Sequence, residues 1–367
     1  MNKINSAESL RGLACLAVVF SHLSLTFFPQ LHNFENSNLP KFKIFDWIHN
    51  SPFGFFYSGT GAVFVFFVLS GYVLSLTMMN SKDIKLKLKK SFLKRYPRLA
   101  IPAIISCILF WGLFHFNVNL SLVSEWFFNT GNFKLNFFDA IYSGSVDAFL
   151  FGRSEYNGVL WTMQIELFGS FLIYLLCYLY KNKTLIFTFL FLAFSLFVSF
   201  FVSKIFFLGI LSFVFGMLIQ LYIRSLPDLL GVFFLLFGLY LCGAHNDSFS
   251  YLFFSKVLNS NTYTALNFIG GLFVTLSVLK TNIILRVLDK RILIYLGKIS
   301  FSIYLIHIII IYAFGVPSFN FFVNYFEFIY AALLASIIVF LLTLFFAVFY
   351  SKYVDDFSIK ISNKIIS

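Results

Sequence analysis

Ten stretches of this chain are apolar for long enough to cross a bilayer, which limits the fold before any single residue is weighed. They run near 9–28, 53–79, 97–116, 158–180, 184–202, 205–223, 229–244, 262–279, 292–313 and 328–350. About 20 apolar residues in a helix span a hydrocarbon layer of ~30 Å. The expected fold is therefore all-α: a polytopic integral membrane protein, a bundle of about ten transmembrane helices. Composition agrees, since 60% of residues are hydrophobic and only 11% are charged, far from soluble usage. The 56 Phe need no special role, because Phe is as acceptable to lipid as Leu.

A net charge of +12 invites a nucleic-acid reading, so its distribution matters. With the N-terminus taken as cytoplasmic, 21 of the 27 Lys and Arg fall on that side. The six outside are Lys41, Lys43, Lys134, Arg153, Lys204 and Lys256. That split follows the positive-inside rule and places both termini in the cytoplasm; topology accounts for the basic charge, and no nucleic-acid partner is expected. Cys15, Cys107, Cys177 and Cys242 all lie in apolar runs, which argues for packing and against disulfides or metal ligation. The first run has no charged leader or small-residue cleavage site before it and is expected to be retained as a span. No repeat, linker or appended soluble domain is visible, so residues 1–367 read as one transmembrane domain.

Three connections are long, and long connections tend to carry function. The outer loop 29–52 holds His32 and His49. Segment 81–98 concentrates Lys and Arg before the third span. The second outer loop, 117–157, carries Glu125, Asp139, Asp147, Arg153 and Glu155 and is long enough to fold over the membrane surface.

Within the first run, Arg11 and His22 have ten residues between them. Eleven positions at 100° come to about 1100°, close to three turns, so both leave one helix on the same stripe, roughly 16 Å apart. Ionisable groups in a bilayer are costly and mark functional sites unless they are anchors or satisfied between helices; spacing alone leaves both options. Depth adds a second observation: His22 lies ~20 Å from the cytoplasmic end, and Glu166, in the fourth run, ~12 Å below the outer face. The two levels coincide, and an imidazole beside a carboxylate is an arrangement for general base catalysis. The alternative for Glu166 is a protonated acid bonded between helices.

Arg95 and Arg98 flank Pro97, read here as the first turn of the third span, where helix amides favour anions. Guanidinium groups suit phosphates, although from physics alone positive-inside anchoring or contact with anionic lipid head groups is the favoured account of both. Ser300, Tyr304 and His307, at i, i+4 and i+7, form a polar stripe on the ninth run, with His307 near the level of His22. Whether that stripe orients substrate or joins helices is open. No GxSxG, Walker, HExxH or CxxC motif is present, so hydrolase, ATPase and metal readings have no support.

These residues resemble the membrane-bound acyltransferase 3 family, bacterial enzymes that acylate surface polysaccharides and other acceptors. ESLRGLACLAVVFSH is similar to its first-span signature, FFVLSGYVLS at 66–75 to its second-span motif, and RYPR at 95–98 to its R-x-x-R motif. NGVLWTMQIE at 157–166 and GKISFSIYLIH at 297–307 are similar to two further motifs. Phe64 stands where many members carry Asp, and Gln164 precedes a single acid at Glu166.

The resemblance implies an acyl-CoA donor, usually acetyl-CoA, with its nucleotide end on the cytoplasmic side. Carried over by position, His22 becomes the catalytic base, Glu166 its acidic companion, and Arg11, Arg95 and Arg98 the donor-binding cations, Arg11 also counting among the catalytic residues. Asn157, Trp161, Ser300, Tyr304 and His307 become substrate-binding candidates; no metal is implied. The expected function is O-acyl transfer, most simply of acetyl, to a hydroxyl of a surface polysaccharide or lipid-linked glycan at the bacterial inner membrane. Since the chain stops soon after its tenth run, direct action on the acceptor is expected. The competing reading is a transporter or exporter of saccharide or lipid-linked saccharide, for which the internal symmetry common in transporters is not seen.

Overall fold

The structure is a computed structural model that describes residues 3–33, 39–129, 136–245 and 247–365. Lys134 and part of the second outer loop lie outside these residues. The helices are α1 (Lys3–Phe27), α2 (Lys43–His49), α3 (Gly59–Met79), α4 (Ile84–Leu113), α5 (Glu125–Asn129), α6 (Phe137–Tyr142), α7 (Thr162–Lys181), α8 (Leu185–Val202), α9 (Lys204–Tyr222), α10 (Asp228–Cys242), α11 (Leu252–Leu258), α12 (Thr262–Lys280), α13 (Asn282–Leu288), α14 (Arg291–Ile310), α15 (Val316–Phe322), α16 (Phe328–Tyr350) and α17 (Asp356–Lys364). Among the described residues, nine helical segments are long and apolar enough to cross a membrane. The tenth expected span is α10, whose 15 residues reach only about 22 Å.

Two boundaries differ from the sequence reading, both for local reasons. Helix α4 begins at Ile84, where the Asp83 carboxylate caps the Leu86 amide at 2.9 Å, so the basic segment is helical and continuous with the span. Pro97 and Pro102 both sit inside this helix, and Arg95 and Arg98 are therefore not at a helix N-terminus. Helix α14 continues through a π turn at Ile311–Gly315 into α15. Pro317 has no N–H with which to close an α-helical bond to the Ala313 carbonyl, a common origin of such a turn.

The centre of the bundle is α1, packed on α14 and α3, with α9, α12 and α7 around α3. Helix α8 turns Phe187, Phe189, Phe194, Phe197, Phe200 and Phe201 outward and meets only α7 and α9 closely, as a lipid-facing helix does. The α1–α14 pair is parallel and in register. A Cβ on Gly12 would lie 2.8 Å from the Gly297 amide nitrogen, and one on Gly297 only 2.0 Å from the Glu8 carbonyl oxygen. Three residues further on, the Cys15 thiol donates to the Ser300 carbonyl at 3.1 Å. Small residues at a crossing let two backbones touch, and this contact sets how α1 faces α14 along its length.

Gly297→Leu should push α1 off α14, because the obstacle is backbone rather than a movable side chain, at a cost of about 1–3 kcal/mol. Its melting temperature in detergent should fall. Gly112→Ala, where a Cβ meets nothing within 4 Å, should leave it unchanged; equal behaviour of the two variants would show that the contact is not tight.

Candidate functional site

Ten residues beyond Gly12 and Gly297, the same register brings His22 onto His307. His22 Nδ1 lies 2.6 Å from His307 Nε2, with ring planes 7° apart and centroids 4.9 Å apart. So short a nitrogen–nitrogen distance at that centroid separation makes the contact edge to edge. The partners determine the protons. His307 Nδ1 faces the Ile303 carbonyl at 3.1 Å and must donate to it, which leaves His307 Nε2 as an acceptor. His22 Nδ1 is then the donor, and the His22 lone pair resides on Nε2. Trp126, on α5, stacks on the His22 ring at 5.3 Å and 16°, holding its plane.

Glu166 is not beside His22. Its Oε2 accepts from Arg95 Nη2 at 2.7 Å and its Oε1 from the Ser70 hydroxyl at 2.9 Å. The sequence reading puts His22, His307 and Glu166 at similar levels, but Asn157 and Thr162 already meet Leu305 and Tyr304 on the arginine side of His307. Glu166 lies a further turn along α7 in that direction, and the imidazole's partner is the second histidine. The Arg95–Glu166 pair is largely buried, with side chains 13% and 14% exposed, and Arg95 Nε is buried without a hydrogen-bond partner. Arg11 pairs with Glu8 at 2.8 Å. Arg98 is exposed and lies within electrostatic reach of Arg95, Arg11 and Asp355. The three arginines of the sequence reading thus share one end of the bundle.

Of the substrate-binding candidates, two are occupied with packing. Asn157 is fully buried and donates to the Ser106 hydroxyl and the Leu305 carbonyl at 3.0 and 2.9 Å. Ser300 donates to its own helix at Gly297. Tyr304 donates to the Val159 carbonyl at 2.7 Å and also meets the Thr162 hydroxyl, which ties α14 to the start of α7.

Two cavities meet at His22. One, of about 470 Å³, is polar and is lined by His32, His245, Asp247, Thr60, Tyr263 and Tyr304, among others. The other, of about 260 Å³, is lined mainly by aromatic and aliphatic side chains. His22, Trp126 and Trp161 line both. Sequence reasoning missed Trp126, His245, Asp247 and Tyr263. Trp126 and Asp247 carry only a weak signal, as polar or amphipathic residues in loops between spans.

His32 Nε2 bonds to the Ser24 hydroxyl at 2.7 Å, and its Nδ1 faces His245 Nε2 at 3.4 Å. Burial and the neighbouring imidazoles hold His32 well below the ordinary imidazole value. Burial, then His49, push His245 down to about 4. Both rings are neutral at pH 7 and line the cavity as hydrogen-bonding dipoles. Among the described residues no three or more His, Cys, Asp or Glu are grouped to hold a metal ion.

Removing one member of a buried ion pair leaves the other charge uncompensated, at a cost of about 3–5 kcal/mol. Glu166→Ala and Arg95→Ala should each destabilise the protein by an amount near the lower end of that range, since both side chains keep some solvent contact. The double variant should cost less than the sum of the two. Additive losses in a thermal or denaturant unfolding cycle would show that the pair is not coupled.

Comparison with known families matches residues 4–352 to an acyltransferase domain. No curated protein and no solved structure matches the chain. The match runs from the start of α1 through α16, taking in both the histidine pair and the arginine–glutamate pair, and the chain belongs to the acyltransferase 3 family.

Proposed function

We propose that this membrane acyltransferase moves an acyl group, acetyl in the simplest case, from a cytoplasmic acyl-CoA to a hydroxyl of a surface polysaccharide or lipid-linked glycan, at a bacterial inner membrane. The observation that carries the reading is the contact of His22 Nδ1 with His307 Nε2, from which the tautomer of His22 follows. With Nδ1 donating to His307, the Nε2 lone pair is left for a proton at a junction of two cavities. His22 takes the proton of the acceptor hydroxyl as its oxygen attacks the thioester carbonyl. As the carbon–sulfur bond breaks, the imidazolium returns the proton to the CoA thiolate. His307 stabilises the imidazolium by accepting from Nδ1 and is a positioning residue, because it acts through His22.

Arg95, Arg98 and Arg11 supply the donor site in this proposal, facing the CoA phosphates at the end of the bundle that holds the N-terminus. Guanidinium groups match phosphate oxygens in pairs. Glu166 holds Arg95 rather than the imidazole. The unbroken α1 places Arg11 and His22 about 16 Å apart along one helix, of the order of an extended pantetheine arm. Acceptor enters from the opposite end, where His32, His245 and Asp247 offer hydrogen bonds to hydroxyls. A donor inside and an acceptor outside react across the bundle without export of CoA.

Membranes containing the protein should release CoA thiol from acetyl-CoA only when acceptor is present. His22→Ala should lower that release by about 10²- to 10⁴-fold at unchanged expression, and His307→Ala should lower kcat more than it changes KM. Intact turnover in His22→Ala would remove His22 from the mechanism.

A further inference from the structure

We infer that the apolar cavity beside His22 receives the acyl chain of the donor and admits chains longer than acetyl. This rests on the acyl-CoA reading above. A thioester carbonyl held at His22 Nε2 must send its alkyl group one way and meet the acceptor hydroxyl from another, and His22 opens onto two compartments of opposite character. The polar one offers imidazole, carboxylate and hydroxyl groups. The other is lined by Phe110, Phe114, Phe127, Val159 and Ile308, with no Asp, Glu, Lys or Arg among its described lining residues.

Two tyrosines also line the apolar cavity, and their hydroxyls are held by backbone carbonyls: Tyr156 by Asn136 at 2.8 Å and Tyr312 by Phe116 at 3.2 Å. Hydroxyls of an acceptor would lose their water there for little return, whereas methylene groups would gain. Size points the same way. A dry apolar cavity of about 150 Å³ holds six carbons as benzene; at about 260 Å³ this one far exceeds the methyl of an acetyl group. On that scale the space holds at least about six carbons, and the geometry therefore points to acyl groups longer than acetyl.

Gly158 is an exposed residue at the edge of this cavity, and a Cβ added to it meets nothing within 4 Å, so a larger side chain there meets no backbone conflict and can cover the cavity. The test is binding of CoA, acetyl-CoA, butyryl-CoA and hexanoyl-CoA to the full-length protein in detergent, by calorimetry. Affinity should rise about fourfold per added methylene until the space is filled. Gly158→Phe should flatten the series while leaving the affinity for CoA itself unchanged. Equal wild-type affinities for acetyl- and hexanoyl-CoA, or a gradient that persists in Gly158→Phe, would overturn the inference while leaving the donor reading intact. Failure of CoA and every thioester to bind would overturn both.

Discussion

The parallel contact between α1 and α14 is the constraint on which the rest depends. Gly12 against Gly297, Cys15 against Ser300 and His22 against His307 are all separated by the same 285 residues of chain. Two straight helices that start in register stay in register. The absence of side chains at the first crossing therefore determines, two to three turns later, which ring meets which. The imidazoles are far from their contact glycines in space, yet their pairing follows from that crossing.

The bundle keeps its two polar centres apart and satisfies each internally. At one, neutral rings share a proton-donating chain that ends on the Ile303 carbonyl. At the other, Arg95 and Glu166 neutralise each other with Ser70 in support. Unpaired charge within the hydrocarbon would cost several kcal/mol, so an acidic side chain with a free guanidinium beside it is expected to pair there. That competition explains why Glu166 is drawn to Arg95 and leaves the imidazole to His307. Five sequence motifs converge on these two centres: the first- and ninth-span motifs on His22 and His307, and the second-span, R-x-x-R and fourth-span motifs on Glu166.

Much of this could be read from residues alone. Apolar run length predicts the helices, and an eleven-residue separation puts Arg11 and His22 on one stripe of what the structure shows as the unbroken helix α1. The level of His307 near His22 also followed from counting residues. What counting does not supply is the height at which each helix starts against its neighbours, and that is where the reading of Glu166 went astray: it lies a turn beyond the Thr162–Tyr304 contact, towards the arginines. Spacing likewise does not show that Asn157 and Ser300, polar residues in motifs, spend their hydrogen bonds inside the bundle, Asn157 on α4 and α14 and Ser300 on its own helix. Pro97 misled for a different reason: a proline compatible with a first turn is also tolerated inside a membrane helix when neighbours satisfy the freed backbone groups. The cavities depend on α5 and on residues after α10, segments with no periodic pattern to read.

The central claim is that His22 acts through a bond to His307, and a double-mutant cycle on turnover tests it most directly. With kcat measured for wild type, His22→Ala, His307→Ala and the double variant, a shared proton path predicts that the double variant is no slower than His22→Ala. Two losses that multiply independently would contradict it and would return His307 to a purely structural place in the helix interface.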